Sequence, residues 1–324
     1  MSKPSQLALA LALVACGSAG HSAAVDGPSS NNGSDAAGRD ASGSDAALVG
    51  DPANDGPYTY TTTDNVTIPA GATRSAVATT FVPTTSPSPR PLVFVSPGFQ
   101  LGRAQYTSYA QHLATWGMTV VVADYTDTGF FPDHQQLADD VGIEITWALA
   151  QASLGIDSTK IATAGHSLGG KISMLVAVDD ARVKAVVGWD PVDGGSAPTV
   201  TPLMTSMTAK VAVIGETTDG SGGVGGMACA PTADNYKTFY TAAPSPALEM
   251  NVPTADHMDW VDDPSCLVCS LCTAGSAPAS LARTATQRLN VAWLREQLDG
   301  DSAMAPWLST PPEVGQGTAT VVEK

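Results

Sequence analysis

Lys160 to Val178 reads KIATAGHSLGGKISMLVAV: an apolar run of strand length, a glycine-rich break, then an apolar pattern of helical character. The break, Gly165-His166-Ser167-Leu168-Gly169, is a G-x-S-x-G sequence in the strand–turn–helix setting that a nucleophile elbow requires. Glycine is expected on both flanks because side chains in so tight a turn would collide with neighbouring elements. The turn should hold Ser167 out at the carboxyl edge of a sheet, with the Leu168 amide at a helix N-terminus aimed at the same space. A serine displayed this way points to nucleophilic catalysis.

Outward from this unit, apolar runs at 75–82, 92–96, 118–125, 161–165, 183–190, 211–215 and 247–252 read as strands. Several are continuous, such as VVVAD and KAVVGW, which suits strands buried on both faces of a parallel sheet. Helical patterns lie between them at 104–116, 134–152, 168–177, 233–240 and 278–298. This alternation predicts an α/β fold, a mostly parallel central sheet with helices on both faces. No internal repeat is evident.

A serine hydroxyl needs a base to take its proton. His257 is the only histidine after Ser167, in the loop PTADHMDW behind an apolar run, and the chain order Ser…Asp…His makes it the expected general base. His166 is expected to face away and pack; His112 and His134 fall in helical patterns, and His21 precedes the folded part. The acid that orients the base is open on local sequence. One strand end offers Asp190 and Asp193 in DPVDGG, and another offers Glu216 and Asp219 in ETTDG. A second oxyanion donor is expected from Phe99 in the loop Pro97-Gly98-Phe99-Gln100, so the Phe99 and Leu168 amides would face developing negative charge together.

These residues, with the stretches PGF, YTSYAQHLATWGMTVVVADY, GHSLGG, GWDPVDGG, KVAVIG, CAPTADNYKTFY and ADHMDWVDD in that order, resemble the chlorophyllase-type branch of the α/β-hydrolases across nearly all of 92–298. The resemblance implies an α/β-hydrolase fold and a triad acid on the DPV turn, Asp190, with Asp219, Asp193 and Glu216 as alternatives. The related platelet-activating-factor acetylhydrolases likewise carry their acid at this earlier strand end. Plant chlorophyllases have a basic residue after the nucleophile and a histidine before Gly-Phe. Leu168 and Pro97 stand there in this chain, so an ester other than chlorophyll is expected. A more distant likeness to cutinase and polyester hydrolases, which share a Pro-Gly-aromatic oxyanion loop, keeps polymeric esters in view.

The chain has 324 residues, 31 acidic against 15 basic, for a net charge of -16, which excludes a partner held through phosphates, nucleic acid above all. Lys3 and the apolar run Leu7 to Ala15 predict an export signal over 1–15, too short to span a bilayer. Leu13-Val14-Ala15-Cys16 resembles a bacterial lipobox, which implies Cys16 as a lipidated anchor in the cell envelope. Residues 16–57, dominated by Ser, Gly, Ala and Asp, read as a disordered tether, leaving 58–324 as one catalytic domain.

Cys229, Cys266, Cys269 and Cys272 are an even set in an exported chain, so disulfides are expected in preference to zinc, stapling the His257 loop to the CAP loop. Asp256, Asp259, Asp262 and Asp263 crowd the base and read as a solvated acidic face, with calcium as a minor alternative. Phe130 and Phe131 read either as acyl-pocket walls or as core anchors. The expected activity is hydrolysis of a small or polymeric carboxylic ester by a monomer that needs no metal and no cofactor. The rival reading is a surface binding protein on a hydrolase scaffold that has lost turnover.

Overall fold

The computed structural model describes residues 50–266 and 268–324. Nine strands follow in chain order: β1 (Tyr60–Pro69), β2 (Ser75–Pro83), β3 (Arg90–Ser96), β4 (Thr119–Ala123), β5 (Ile156–His166), β6 (Val183–Trp189), β7 (Lys210–Gly215), β8 (Ala247–Asn251) and β9 (Thr320–Glu323). They form one sheet in the order β1-β2-β4-β3-β5-β6-β7-β8-β9. The strands β3 to β8 run parallel, while β1, β2 and β9 attach antiparallel at the edges. The continuous apolar runs are the cause: every residue of β3 and β4 is buried, so both faces must be covered.

Five main helices provide the cover: α1 (Thr107–Thr115), α2 (His134–Ala150), α3 (Leu168–Asp179), α4 (Tyr236–Ala242) and α5 (Ala279–Leu294). α1 and α5 close one face around Tyr109, Leu113, Trp189, Leu289 and Trp293. α2, α3 and α4 close the other around Leu137, Ile145, Ile172, Leu175 and Phe239. Phe94 and Leu92, fully buried in the central β3, each contribute roughly 1.5–3 kcal/mol through apolar burial. α2 starts where it does because the Asp133 carboxylate accepts from the Gln135 and Gln136 amides, at 3.0 and 3.1 Å.

All seven predicted strands and all five predicted helices are present, within a few residues at their ends. β1 and β9 had no signal in the sequence. β1 is a Thr-rich edge strand with seven of its ten residues exposed, so no core face patterns it.

The expected start of the domain at Tyr58 is too late. The Asp51 carboxylate accepts from Arg288 at 2.8 and 2.9 Å, the Asn54 carbonyl accepts from His112 and Trp116 at 3.0 and 2.9 Å, and the Gly56 amide donates to Thr115 at 2.8 Å. Polar backbone and carboxylate contacts fix this segment where composition suggested a loose linker. The export signal, Cys16 and the tether up to residue 49 lie outside the described residues. Among the described residues no helix is long and apolar enough to cross a membrane.

Candidate active site

β5 delivers Ser167 at the carboxyl edge of the sheet, and α3 begins at the next residue. Ser167 adopts φ 56° and ψ −120°, a strained conformation for a residue with a side chain, and its amide is fixed by the Trp189 carbonyl at 3.0 Å. The flanking glycines are there for space. A Cβ on Gly169 would lie 1.9 Å from the Ser96 carbonyl oxygen, and one on Gly165 would lie 2.5 Å from the Gly169 backbone. β3 and α3 therefore touch backbone to backbone beneath the serine.

The Ser167 hydroxyl lies 2.9 Å from His257 Nε2, and His257 Nδ1 lies 2.6 Å from Asp190 Oδ2. Asp190 is wholly buried at the end of β6, with φ 41°, and His257 is 5% exposed. The other Asp190 oxygen accepts the Glu216 amide at 3.3 Å, so both carboxylate oxygens are occupied. Burial pushes the Asp190 pKa up, against the opposing pull of the His257 hydrogen bond.

The alternative acids are placed elsewhere, each with another task. Asp219 accepts the His257 backbone amide at 3.0 Å and the Thr273 amide at 2.6 Å, so it holds the base by its main chain. Asp193 accepts from the Val200 and Thr201 amides and the Thr201 hydroxyl. Beside it the buried Lys171 donates to the carbonyls of Asp193, Gly194 and Ser196, which closes the loop that follows Asp190. Glu216 stands against Asp190 with one oxygen accepting the Asp219 amide at 2.9 Å and the other unpartnered. Burial, and then the neighbouring Asp190 charge, raise its pKa to about 9, so it is a neutral acid at pH 7.

Gly98 to Leu101 form a turn closed by the Leu101 amide on the Gly98 carbonyl at 3.1 Å, with Gln100 at φ 58°. That places Phe99 on the rim above β3. Leu168, as the first residue of α3, contributes one of the free amides of a helix N-terminus. Gln100 also donates to the carbonyls of Thr128 and Gly129, tying this turn to the loop that carries Phe130 and Phe131. Those two rings are 66% and 91% exposed, which excludes them as core anchors. Phe130 leans on Phe99, with ring centroids 6.3 Å apart, and Phe131 borders a cleft of about 600 Å³ with Pro132, Ser196 and Pro198.

Of the four aspartates around His257 only Asp263 is exposed; the other three brace the loop. Asp256 caps the short helix His257–Trp260 by accepting the Met258 amide at 2.8 Å, and Asp259 accepts the Asp256 amide at 3.0 Å. Asp262 accepts from the Ser108 amide and hydroxyl at the start of α1. The four cysteines form Cys229–Cys272 and Cys266–Cys269; the first joins the CAP loop to the His257 loop, and the second closes a short ring within the latter. Sequence reading missed Tyr106, Lys171 and the main-chain role of Asp219, which meet His166, Asp193 and His257 at 60, 22 and 38 residues' separation. No local pattern marks such contacts.

A family model described as Chlorophyllase matches residues 55–315. Chlorophyllase-1, chloroplastic, of Citrus unshiu is 26% identical over 264 residues, covering 71% of this chain and 79% of that protein. Chlorophyllase type 0 of Chenopodium album is 24% identical over 260 residues, covering 66% and 73%. Cutinase 1 of Thermobifida cellulosilytica is 24% identical over 227 residues, covering 69% and 74%. With the family match spanning β1 to β8, the elbow and the His257 loop alike, the chain belongs to the chlorophyllase family, carboxylic ester hydrolases on the α/β-hydrolase fold.

Proposed function

We propose that the chain hydrolyses carboxylic esters through Ser167, His257 and Asp190 and a covalent acyl-enzyme. The observation that carries this reading is the unbroken line of contacts from Ser167 Oγ through His257 to Asp190, 2.9 and 2.6 Å long. The Ser167 O–H donates to His257 Nε2, and His257 Nδ1–H donates to Asp190. As Oγ attacks the ester carbonyl, its proton passes to Nε2, and the buried Asp190 carboxylate stabilises the imidazolium. The Phe99 and Leu168 amides face the developing oxyanion, a contribution of about 3 kcal/mol per donor in comparable sites. His257 then protonates the departing alkoxide, and the alcohol leaves. Water, deprotonated by His257, attacks the acyl-Ser167 carbonyl; as the bond to Oγ breaks, His257 returns the proton to Ser167 and the acid leaves.

The test is labelling with a fluorophosphonate probe alongside p-nitrophenyl butyrate turnover. Wild type should be labelled and active, and Ser167→Ala should be unlabelled and at least about a thousandfold slower. Equal labelling of the two would refute the proposal. For substrate, the open rim of Phe99, Phe130 and Phe131 supports acyl or polymer chains laid across the sheet edge. Leu168 and Pro97, in place of the basic residue and histidine of plant chlorophyllases, favour esters other than chlorophyll. A chain-length series of aryl esters, run beside a polyester film and chlorophyll, ranks these. Chlorophyll as the fastest would reverse the preference.

The lipobox-like LVAC supports a lipid anchor at Cys16 and a place in the cell envelope. Incorporation of labelled palmitate that persists in Cys16→Ala would sink that assignment.

A further inference from the structure

His166, beside the nucleophile, is completely buried, and both of its ring nitrogens are engaged. Nδ1 meets the Tyr106 hydroxyl at 3.1 Å, and Nε2 meets the backbone carbonyl of His257 at 2.8 Å. The same Tyr106 hydroxyl meets the Gly98 amide at 2.9 Å. Tyr106 is also wholly buried, so all these groups lie away from water.

The direction of the chain is forced from both ends. Gly98 N–H can only donate, so the Tyr106 oxygen accepts from it and has its own proton to give. The His257 carbonyl can only accept, so His166 Nε2 must carry a proton. A neutral imidazole then leaves Nδ1 bare to accept from Tyr106. The chain reads Gly98 N–H to Tyr106 O–H to His166 Nδ1, then Nε2–H to the His257 carbonyl. Burial, and after it the neighbouring His257, hold the His166 pKa well below its ordinary value, in keeping with a neutral ring. Gly98 itself is shaped by this arrangement: a Cβ there would come within 3.0 Å of His166 Nδ1 and 3.1 Å of the Tyr106 hydroxyl.

One end of the chain is the amide immediately before Phe99, and the other is the carbonyl of the proposed base. We propose that Tyr106 and His166 are positioning residues that hold the oxyanion turn and His257 in a common register through this one-way hydrogen-bond chain. The proposal rests on the serine-esterase reading above and assigns to the residue before the nucleophile a role distinct from packing. Neither side chain touches substrate. Each acts by fixing a backbone segment whose next group does. Removing the Tyr106 hydroxyl strands the Gly98 N–H and His166 Nδ1 in a dry interior, and the turn carrying Phe99 loses its tie to the His257 loop.

The experiment uses the full chain with p-nitrophenyl butyrate, with turnover counted per fluorophosphonate-titrated site so that unfolded material drops out. Tyr106→Phe should lower kcat roughly 10- to 100-fold, the scale of a misplaced reacting group, with KM changed less than about threefold. His166→Gln should lower kcat as well, and the double variant should be no slower than the slower single, as expected of groups acting as a unit. In 15N-histidine NMR of the wild type, His166 should show a protonated Nε2 and a bare Nδ1. A Tyr106→Phe enzyme within twofold of wild-type kcat, or additive losses in the double variant, overturns the proposal. So does an Nδ1-protonated His166, which is read on the wild type and needs no variant to fold. Retained turnover in Ser167→Ala would instead overturn the serine-esterase reading, which keeps the two failures distinct.

Discussion

The nucleophile and the base reach the same point by different physical means. Ser167 is placed by backbone packed on backbone: Gly169 sits so close to Ser96 that no side chain fits between them. His257 is placed by polar and covalent ties. Its amide rests on the Asp219 carboxylate, its carbonyl on His166, and its loop is joined to the CAP loop by Cys229–Cys272. The surroundings match. The elbow lies over fully buried residues of β3 and α3, whereas the CAP and His257 loops expose Val224, Met227 and Leu271. The elbow should therefore tolerate no added volume and ignore solution conditions, and the base loop should show the opposite sensitivities.

Gly169→Ala is the harshest way to break the contrast. A Cβ at 1.9 Å from the Ser96 carbonyl oxygen cannot be absorbed by a side-chain shift, so the folded state should be lost, seen as insolubility or a missing thermal transition. A soluble, active variant with the wild-type Tm would show that the elbow is not held by close packing.

Asp190→Asn and Asp219→Asn separate the two carboxylates that serve His257. Asp190→Asn should lower kcat about 10⁴-fold, because the amide favours the wrong tautomer and cannot balance the imidazolium. Asp219→Asn disturbs only the main-chain contacts to His257 and Thr273 and should cost about tenfold. Comparable losses would mean that ring and backbone orientation cannot be told apart in this loop.

Cys229→Ser with Cys272→Ser tests the covalent tie. The bridge spans 43 residues, and its loss should destabilise the fold by about 2–4 kcal/mol. Dithiothreitol should lower the Tm of the wild type and shift that of the double variant much less, because only the short Cys266–Cys269 ring is left to reduce. A reductant effect of equal size in both would assign the redox sensitivity elsewhere.

An effect confined to one pH window concerns Glu216. Its pKa is about 9 in the folded state against 4.5 as an ordinary glutamate, so the folded state holds the extra proton between those values. The stability this proton represents is complete below pH 4.5 and drains away as pH rises to about 9. Glu216→Gln, neutral throughout, should match wild-type Tm near pH 4.5 and exceed it by a margin that grows up to about pH 9 and then levels off. A gap that does not change with pH would mean that Glu216 is already ionised beside Asp190.

What could be read in the sequence divides along the same line as the two regions. The elbow is local: strand, turn and helix are contiguous from Lys160 to Val178, so its residues declare one another. The central strands were equally legible because burial on both faces leaves an unbroken apolar run. The base loop is not local. DPVDGG and ETTDG both put carboxylates at strand ends, and only a family resemblance favoured Asp190. Asp256, Asp259 and Asp262 look in the sequence like an exposed acidic run, yet cap and brace the loop through partners that include Ser108, 154 residues from Asp262. β1 was invisible for the opposite reason, since an exposed Thr-rich edge strand lacks a hydrophobic period.

The clasp of Asp51 on Arg288, a residue that also pairs with Glu313, has a mechanical consequence. The neighbouring Gly56 is bound to Thr115 at the last turn of α1, just before β4 begins, which is the amino edge of the parallel strands. Ser167 opens at the other edge. A pull on the chain from its amino-terminal side would load the Arg288 clasp first. The clasped entry of the chain and the reactive serine thus sit at opposite ends of the parallel strands.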